Sequence, residues 1–262
     1  MANFKQASLD NHSINVVPGE QVMEYAYVTK PGTREKNEDS VAALENDKGC
    51  LFVVADGLGG HSKGEVASAI ATDTFRRQFE NTDPAINVFI PETFIIAQSN
   101  IIQEQKTQNA LMDMKTTCAA LVITNGICQY GHVGDTRIYV FQQNRIKTRT
   151  LDHSVPQMLV VAGDIKEKKI RKHPDRNQLL RVMGIDGESP RFELSAGISI
   201  AECQAFLLCS DGFWELCLEK KMCAYLKKSG SAFEWLRFMT DEVEKNGQGG
   251  EMDNYSAIAV FV

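Results

Sequence analysis

The sequence predicts an α+β fold built on antiparallel strands, and two features of its hydrophobic pattern carry that prediction. Between residues 117 and 150 the chain reads TCAALVIT, ICQYGHV, RIYVF and RIKTRT, short β-rich runs parted only by turn residues. One separator is Asn125-Gly126, the strongest short hairpin signal; another is Gln142 to Asn144. Strands joined so tightly form a meander, not a βαβ alternation. The second feature is a pair of consecutive helical patterns. Ala67, Ala71, Phe75 and Phe79 recur every four residues in a helix starting near Lys63 or Gly64. Behind Pro91, the residues Phe94, Ile95, Ala97, Ile101 and Ile102 give a second apolar face, so two helices can cover one face of a sheet.

Taken in order, residues 1–20 are expected to form a flexible N-terminal arm, and 21–262 a single domain. Val22 to Thr29 reads as the first strand, stopped by Pro31-Gly32. Thr33 to Ser40 is polar and carries charge of both signs, which by default is a solvated loop. Ser40 to Leu44 is the second strand, and Asp47 to Gly49 turns it into the apolar run Leu51 to Ala55, which Asp56 ends. A polar connection, Thr107 to Met114, follows the two helices. Residues 151–187 are a mixed helix-and-loop excursion of the kind that faces substrates, with weak helical character from Val155 to Val161. Strands resume around Phe192 and at Ala205 to Cys209. Helices near Glu219 to Lys228 and Ala232 to Lys245 precede a final strand, Tyr255 to Val262.

Composition narrows the function. The 262 residues include 28 basic and 34 acidic ones, a net charge of −6. That balance argues against nucleic acid or an anionic membrane as the main partner. The opening MANFKQASLDNHSINVVPGE has no signal-peptide core, and no apolar run approaches the roughly 20 residues of a membrane span. Seven cysteines, an odd number without a CxxC pair, suit a reducing cytoplasm better than a disulfide or zinc framework.

Four aspartates mark the ends of apolar strands. Asp56 follows LFVVA and precedes a glycine-rich stretch; Asp211 follows AFLLCS and precedes Gly212; Asp253 stands before YSAIAVFV; Asp135 sits in HVGDTRIY. Each alone reads as a turn or cap residue. Four such residues brought together would need a compensating cation, because like charges a few ångströms apart cannot all stay ionised. Oxygen-only ligands favour Mg²⁺ or Mn²⁺ over zinc, and no HExxH is present. The stretch after Asp56 is neither a Walker loop nor a dinucleotide fingerprint. Two hard ions about 3.5–4 Å apart suit phosphoryl chemistry. Such chemistry wants an arginine for the phosphate, and Arg34 lies beside Glu38 and Asp39, which extend the carboxylate set.

Taken together, RxxNEDS from Arg34 to Ser40, VVADGLGGHSKGEVAS, VGDTRIY, LDHS, HPDRNQLLRVMG, LLCSDGFWE and DNYSAIAV resemble the metal-dependent protein phosphatases, the PPM or type 2C serine/threonine class, most closely its bacterial branch. The resemblance implies a four-layer α-β-β-α sandwich with two central antiparallel sheets. It implies hydrolysis of phosphoserine and phosphothreonine by a metal-bridged water, opposing a bacterial serine/threonine kinase. Asp56 would bridge two Mn²⁺ or Mg²⁺ ions, with the Gly57 carbonyl, Asp211 and Asp253 on the first and Glu38 and Asp39 near the second. Asp135 with Asp211 would match a third-metal site, and Arg34 would hold the phosphate. Residues 151–187 would be the mobile flap beside the cleft. The partners implied are phosphorylated proteins, a cognate kinase or its substrates among them, met by a monomer.

Two positions depart from the family. Leu58 stands where eukaryotic members carry a histidine proposed as general acid, leaving His61 as a candidate that packing of the glycine turn explains equally well. Lys115-Thr116-Thr117 replaces Gly-Thr-Thr, a change expected to leave the metals untouched. His12, His132, His153 and His173 are read as structural. Two rival functions stay open: a non-catalytic phosphoprotein-binding module of the same fold, and a small-molecule phosphatase.

Overall fold

The structure, a computed structural model, describes residues 12–14, 23–58, 63–110, 113–187 and 189–262. In chain order the strands are β1 His12–Ile14, β2 Glu24–Lys30, β3 Asp39–Asn46 and β4 Gly49–Leu58, followed by helices α1 Gly64–Asn81 and α2 Phe89–Thr107. Then come β5 Lys115–Thr116, β6 Cys118–Thr124, β7 Ile127–Val133, β8 Arg137–Gln142, β9 Arg145–Arg149 and helix α3 Val155–Ala162. The chain closes with β10 Glu193–Leu194, β11 Ile198–Ser199, β12 Ala205–Cys209, α4 Asp211–Trp214, α5 Glu219–Lys228, α6 Ala232–Gly247 and β13 Tyr255–Phe261.

One sheet runs β1-β2-β13-β12-β8-β9, the other β10-β7-β6-β4-β3, and every pairing is antiparallel. The expected Asn125-Gly126 hairpin joins β6 to β7, with φ of 50° and 72° at the two turn residues. Three apolar clusters make four layers. On α1, Ala67, Ala71, Phe75 and Phe79 are wholly buried with Phe94 and Ile101 of α2, against Leu51, Val53 and Ala55 of β4. Each such phenylalanine contributes roughly 2–3 kcal/mol of burial. Trp235, Leu236 and Met239 of α6 and Met222 of α5 cover the outer face of the other sheet. Phe52, Val54, Leu121, Ile138, Val140, Phe206, Leu208, Ile258 and Val260 fill the space between the sheets. The α-β-β-α sandwich is therefore present as expected.

Several boundaries differ for physical reasons. The strand through Asp56 does not stop there, because Gly57 and Leu58 continue by pairing with Thr116 and Lys115 of β5. Asp211 begins a short helix and is not a turn residue. His12–Ile14, inside the expected arm, pairs with Ala26 to Glu24 of β2; the arm's residues 1–11 and 15–20 lie outside the described residues. Around Phe192 the expected strand is two short ones, β10 and β11, both on the β7 edge. Helix α6 starts at Ala232 as expected, capped by Ser231, whose hydroxyl accepts from Glu234 N at 3.0 Å.

Candidate metal centre

Strand parity places the site. Along β3 the side chains of Val41 and Ala43 point between the sheets, and Asp39 shares their face. Phe52 and Val54 do so on β4, so Asp56 does as well, and the register sets Asp39 directly opposite Asp56. By the same alternation Ser210 continues the inner row of Phe206 and Leu208, and Ser256 that of Ile258 and Val260. At this end of the sandwich the apolar filling gives way to carboxylates and hydroxyls.

A cavity of about 510 Å³ opens there. Asp56, Gly57, Glu38, Asp135, Asp211, Asp253 and Arg34 all line it, together with Leu58, Asn177, Leu179 and Asn254. Asp39 stands behind Asp56, 9% exposed, and accepts from Ser210 Oγ at 2.8 Å on Oδ2. Its Oδ1 is buried with no hydrogen-bond partner. Asp253 is half-exposed, and its Oδ2 holds Arg34 Nη2 at 3.0 Å, so the arginine sits on the rim tied to a carboxylate of the site. His61 lies outside the described residues. No histidine among the described residues lines the cavity.

The backbone around these groups is tightly held. The Asp56 carbonyl accepts from Thr117 N at 2.9 Å and Thr116 Oγ1 at 2.8 Å, while Thr117 Oγ1 accepts from Asp56 N at 3.2 Å. Lys115-Thr116-Thr117 thus grips the strand carrying Asp56, a closer involvement than the sequence implies. Gly57 packs on Gly64, where a Cβ would meet the Gly64 carbonyl oxygen at 2.4 Å, so both glycines are required by close approach. Asn254 ties the loop of residues 31–38 to the start of β13. Its Nδ2 donates to the carbonyls of Pro31 and Lys36 at 2.9 and 2.8 Å, and its Oδ1 accepts from Glu38 N at 2.8 Å. Sequence reasoning passed over Ser210, Asn254 and Ser256, although each is in or beside an aspartate motif; their signal was that position.

Electrostatics in the cluster is unfavourable without a cation. Burial first, then the charges of Asp39, Asp211, Asp135 and Asp253, hold the Asp56 carboxyl well above the usual range. Burial and then Asp211 and Asp152 do the same to Asp135, which Arg137 partly offsets. Asp39 is pushed up to about 7, mainly by burial against the relief of the Ser256 and Ser210 hydrogen bonds. Asp211 is pushed up to about 6 by burial and Asp253, and Glu38 is raised by burial, Glu65 and Asp253. A buried, unpartnered Asp39 oxygen within an all-oxygen donor set is what a hard divalent cation fits.

The shifts predict how the metal-free protein responds to pH. A carboxyl whose folded pKa exceeds its unfolded value makes the folded state bind more protons, so stability falls as pH rises between the two values. For Asp39 and Asp211 that window runs from roughly 4, the ordinary aspartate value, to about 6–7. The melting temperature in EDTA should therefore fall from pH 5 to pH 7.5, and Mn²⁺ should reverse the loss. A flat or rising profile would contradict the assigned crowding.

A second group of possible ligand side chains lies outside the lining of the cavity. His132, His153 and Glu193 bring one ligand atom each within 4.8 Å. His153 Nδ1 accepts from Gly134 N at 3.1 Å, and its Nε2 lies 3.3 Å from both Glu193 Oε1 and Arg181 Nη1. The two imidazoles stack with an interplanar angle of 20°, and parallel rings do not aim their lone pairs at one point between them. His132 Nε2 is taken up by the Leu151 carbonyl at 2.8 Å.

A sandwich ending in a carboxylate cavity with an arginine on its rim defines the class of metal-dependent phosphoester hydrolases. The protein phosphatase 2C family matches residues 32–254, and the chain belongs to that family. It is 31% identical over 235 residues to the serine/threonine phosphatase stp of Listeria welshimeri, covering 87% of this chain and 90% of that one. The crystal structure of serine/threonine phosphatase Stp1 from Staphylococcus aureus superposes with a TM-score of 0.84 at 26% identity, covering 92% and 96% of the two chains. The catalytic domain of PstP, solved in complex with two manganese ions, has the same fold at 23% identity, a TM-score of 0.76 and coverage of 91% and 97%.

Proposed function

We propose that the carboxylate cavity is the catalytic centre of a protein phosphatase, with each residue in the role its position supports. As a member of the protein phosphatase 2C family the chain is a serine/threonine protein phosphatase, a phosphoric monoester hydrolase using Mn²⁺ or Mg²⁺. The observation that carries the site is the convergence of Glu38, Asp56, Asp135, Asp211 and Asp253 on one cavity, with the Oδ1 of Asp39 buried and unpartnered behind Asp56. Asp56, the Gly57 carbonyl, Asp211 and Asp253 would hold one ion, Glu38 and Asp39 with Asp56 a second, and Asp135 with Asp211 a third. When bound, such ions lower the pKa of a water and neutralise phosphate charge.

The chain's own residues then do the rest. Arg34, released from Asp253 as the substrate enters, grips two phosphate oxygens through its planar fork. The Thr116-Thr117 clamp and Asn254 keep Asp56 and Glu38 from shifting as the charge in the cavity changes. Leu58, on the cavity wall, donates no proton, which leaves a water or His61 to protonate the leaving oxygen. The substrates are phosphoproteins under control of a bacterial serine/threonine kinase. No helix among the described residues is long and apolar enough to cross a membrane, and all seven cysteines are free; the setting proposed is a reducing cytoplasm, with the chain acting as a monomer.

Release of phosphate from a phosphothreonine peptide with Mn²⁺, compared with an EDTA control, tests the reading. Turnover only with metal is expected. Tight peptide binding without turnover would indicate the regulatory module instead, and hydrolysis of free phosphate esters alone the small-molecule enzyme. In the same assay Arg34→Ala should raise KM roughly tenfold with a smaller change in kcat, as expected for loss of a ground-state grip. An unchanged KM would remove Arg34 from the phosphate.

A further inference from the structure

The short 3₁₀ helix Glu167–Lys172 carries a charge balance opposite to that of the whole chain. From Asp164 to Arg176 six basic residues face three acidic ones, within a chain of net charge −6. Packing sorts them. Ile170 is buried against the core under α5 and α6, and Arg171 donates to the Trp214 carbonyl at 3.1 Å and pairs with Glu219 at 2.8 Å. Glu167 is taken up by Arg149, and Arg176 by Glu215 at 3.0 Å. Lys166, Lys169 and Lys172 are exposed, and none of them forms an ion pair among the described residues.

Their spacing is the informative part. A 3₁₀ helix has three residues per turn and rises about 2.0 Å per residue, so side chains three apart eclipse. Lys169 and Lys172 therefore stand in one row, about 6 Å apart, and Lys166, with extended backbone at the cap, precedes them by one turn. Like charges so close repel one another, and no ion pair among the described residues takes them up. The anchoring by Ile170 and Arg171 keeps the row rigid. An extended peptide places alternate side chains on one face at about 6.7 Å, close to that spacing. The row also adjoins the site: Asn177 and Leu179 line the cavity, and five residues of chain from Lys172 to Asn177 reach at most about 18 Å.

We propose that Lys166, Lys169 and Lys172 form a docking row for acidic residues of the phosphoprotein, set at alternate positions of an extended segment within about five residues of the phosphorylated side chain. The proposal rests on the protein phosphatase reading and names the substrate class that reading leaves open. Because the rest of the chain is acidic, an acidic segment is repelled elsewhere and drawn here, which orients the substrate as well as holding it.

The test uses three phosphothreonine peptides of equal length, with alternating aspartates, neutral residues or lysines beside the phosphothreonine, plus p-nitrophenyl phosphate. The wild-type protein with Mn²⁺ should favour the acidic over the neutral peptide by roughly tenfold in kcat/KM, less at high salt. The Lys166→Gln/Lys169→Gln/Lys172→Gln variant should lose that preference while hydrolysing p-nitrophenyl phosphate as before. Lys168→Gln, off the row, should keep most of it. Equal rates on acidic and neutral peptides, or a preference that survives the triple change, would overturn the docking row while leaving the phosphatase intact. Failure on all three peptides with p-nitrophenyl phosphate still hydrolysed would overturn the protein phosphatase reading and the row with it.

Discussion

Asp56→Asn is expected to abolish turnover and, without divalent ions, to make the protein more heat-stable. The two effects have one cause. Asp56 faces Asp39 across the β3–β4 register and lies within reach of the charges of Asp211, Asp135 and Asp253. Asparagine keeps the shape and removes one charge from that crowd. In EDTA at pH 8 the variant should melt several degrees above wild type, since 1 kcal/mol is worth roughly 2–4 °C in a domain of this size. The carboxylate is also the group best placed to hold two cations, so kcat/KM should fall on the order of 10³-fold. Addition of Mn²⁺ should raise the melting temperature of wild type by mass action and leave the variant nearly unmoved. A variant that is inactive but also less stable in EDTA would mean that Asp56 serves the fold and not a cation.

Arg137→Met is expected to be the most destabilising single change outside the apolar core. Arg137 is 2% exposed at its side chain, and Asp152, its partner, 1%. The guanidinium meets both carboxylate oxygens, Nε to Oδ1 at 2.8 Å and Nη2 to Oδ2 at 2.6 Å, and Nη1 donates to Tyr139 at 3.0 Å. It stacks on Trp214 with its central carbon 3.4 Å from the ring centre, and Trp214 Nε1 donates to the Asp135 carbonyl at 3.0 Å. Methionine fills much of the volume and leaves the buried Asp152 only the longer contact of its Oδ1 with Arg149 Nη1 at 3.7 Å, so the loss should approach the about 3–5 kcal/mol of a broken buried pair. Chemical denaturation should show that loss. The double variant Arg137→Met/Asp152→Leu should recover most of it, because the penalty lies in the orphaned charge. A single variant within about 1 kcal/mol of wild type would show that Asp152 finds another partner or a proton.

Most strands along the chain and the four marker aspartates were legible because both leave local traces, whereas the order of strands within each sheet was not. Apolar runs bounded by turn residues define strands, and an aspartate at the end of such a run is conspicuous. Asp39 was harder to place from pattern alone, since Thr33 to Ser40 reads as a solvated loop until Val41 and Ala43 are known to point inward. Its burial follows from parity with residues on its far side. The link between Arg137 and Asp152 leaves no pattern, because side chains fifteen residues apart meet only once β8 and the following loop are folded. The same holds for Arg34 and Asp253, joined across 219 positions. The lysine row was hidden for a different reason: LysGluLysLysIleArgLys looks like a charged surface helix, and only its 3₁₀ winding aligns every third residue.

The most direct measurement is a calorimetric titration of the metal-free protein with Mn²⁺ at pH 7, run in buffers of different ionisation heat. Carboxyls held partly protonated by crowding must give up protons when a cation enters, so wild type should take up at least two ions per chain with net proton release. Asp56→Asn should bind more weakly and release fewer protons. Binding of Mn²⁺ without proton release, or equally well to the variant, would contradict a cation site centred on Asp56.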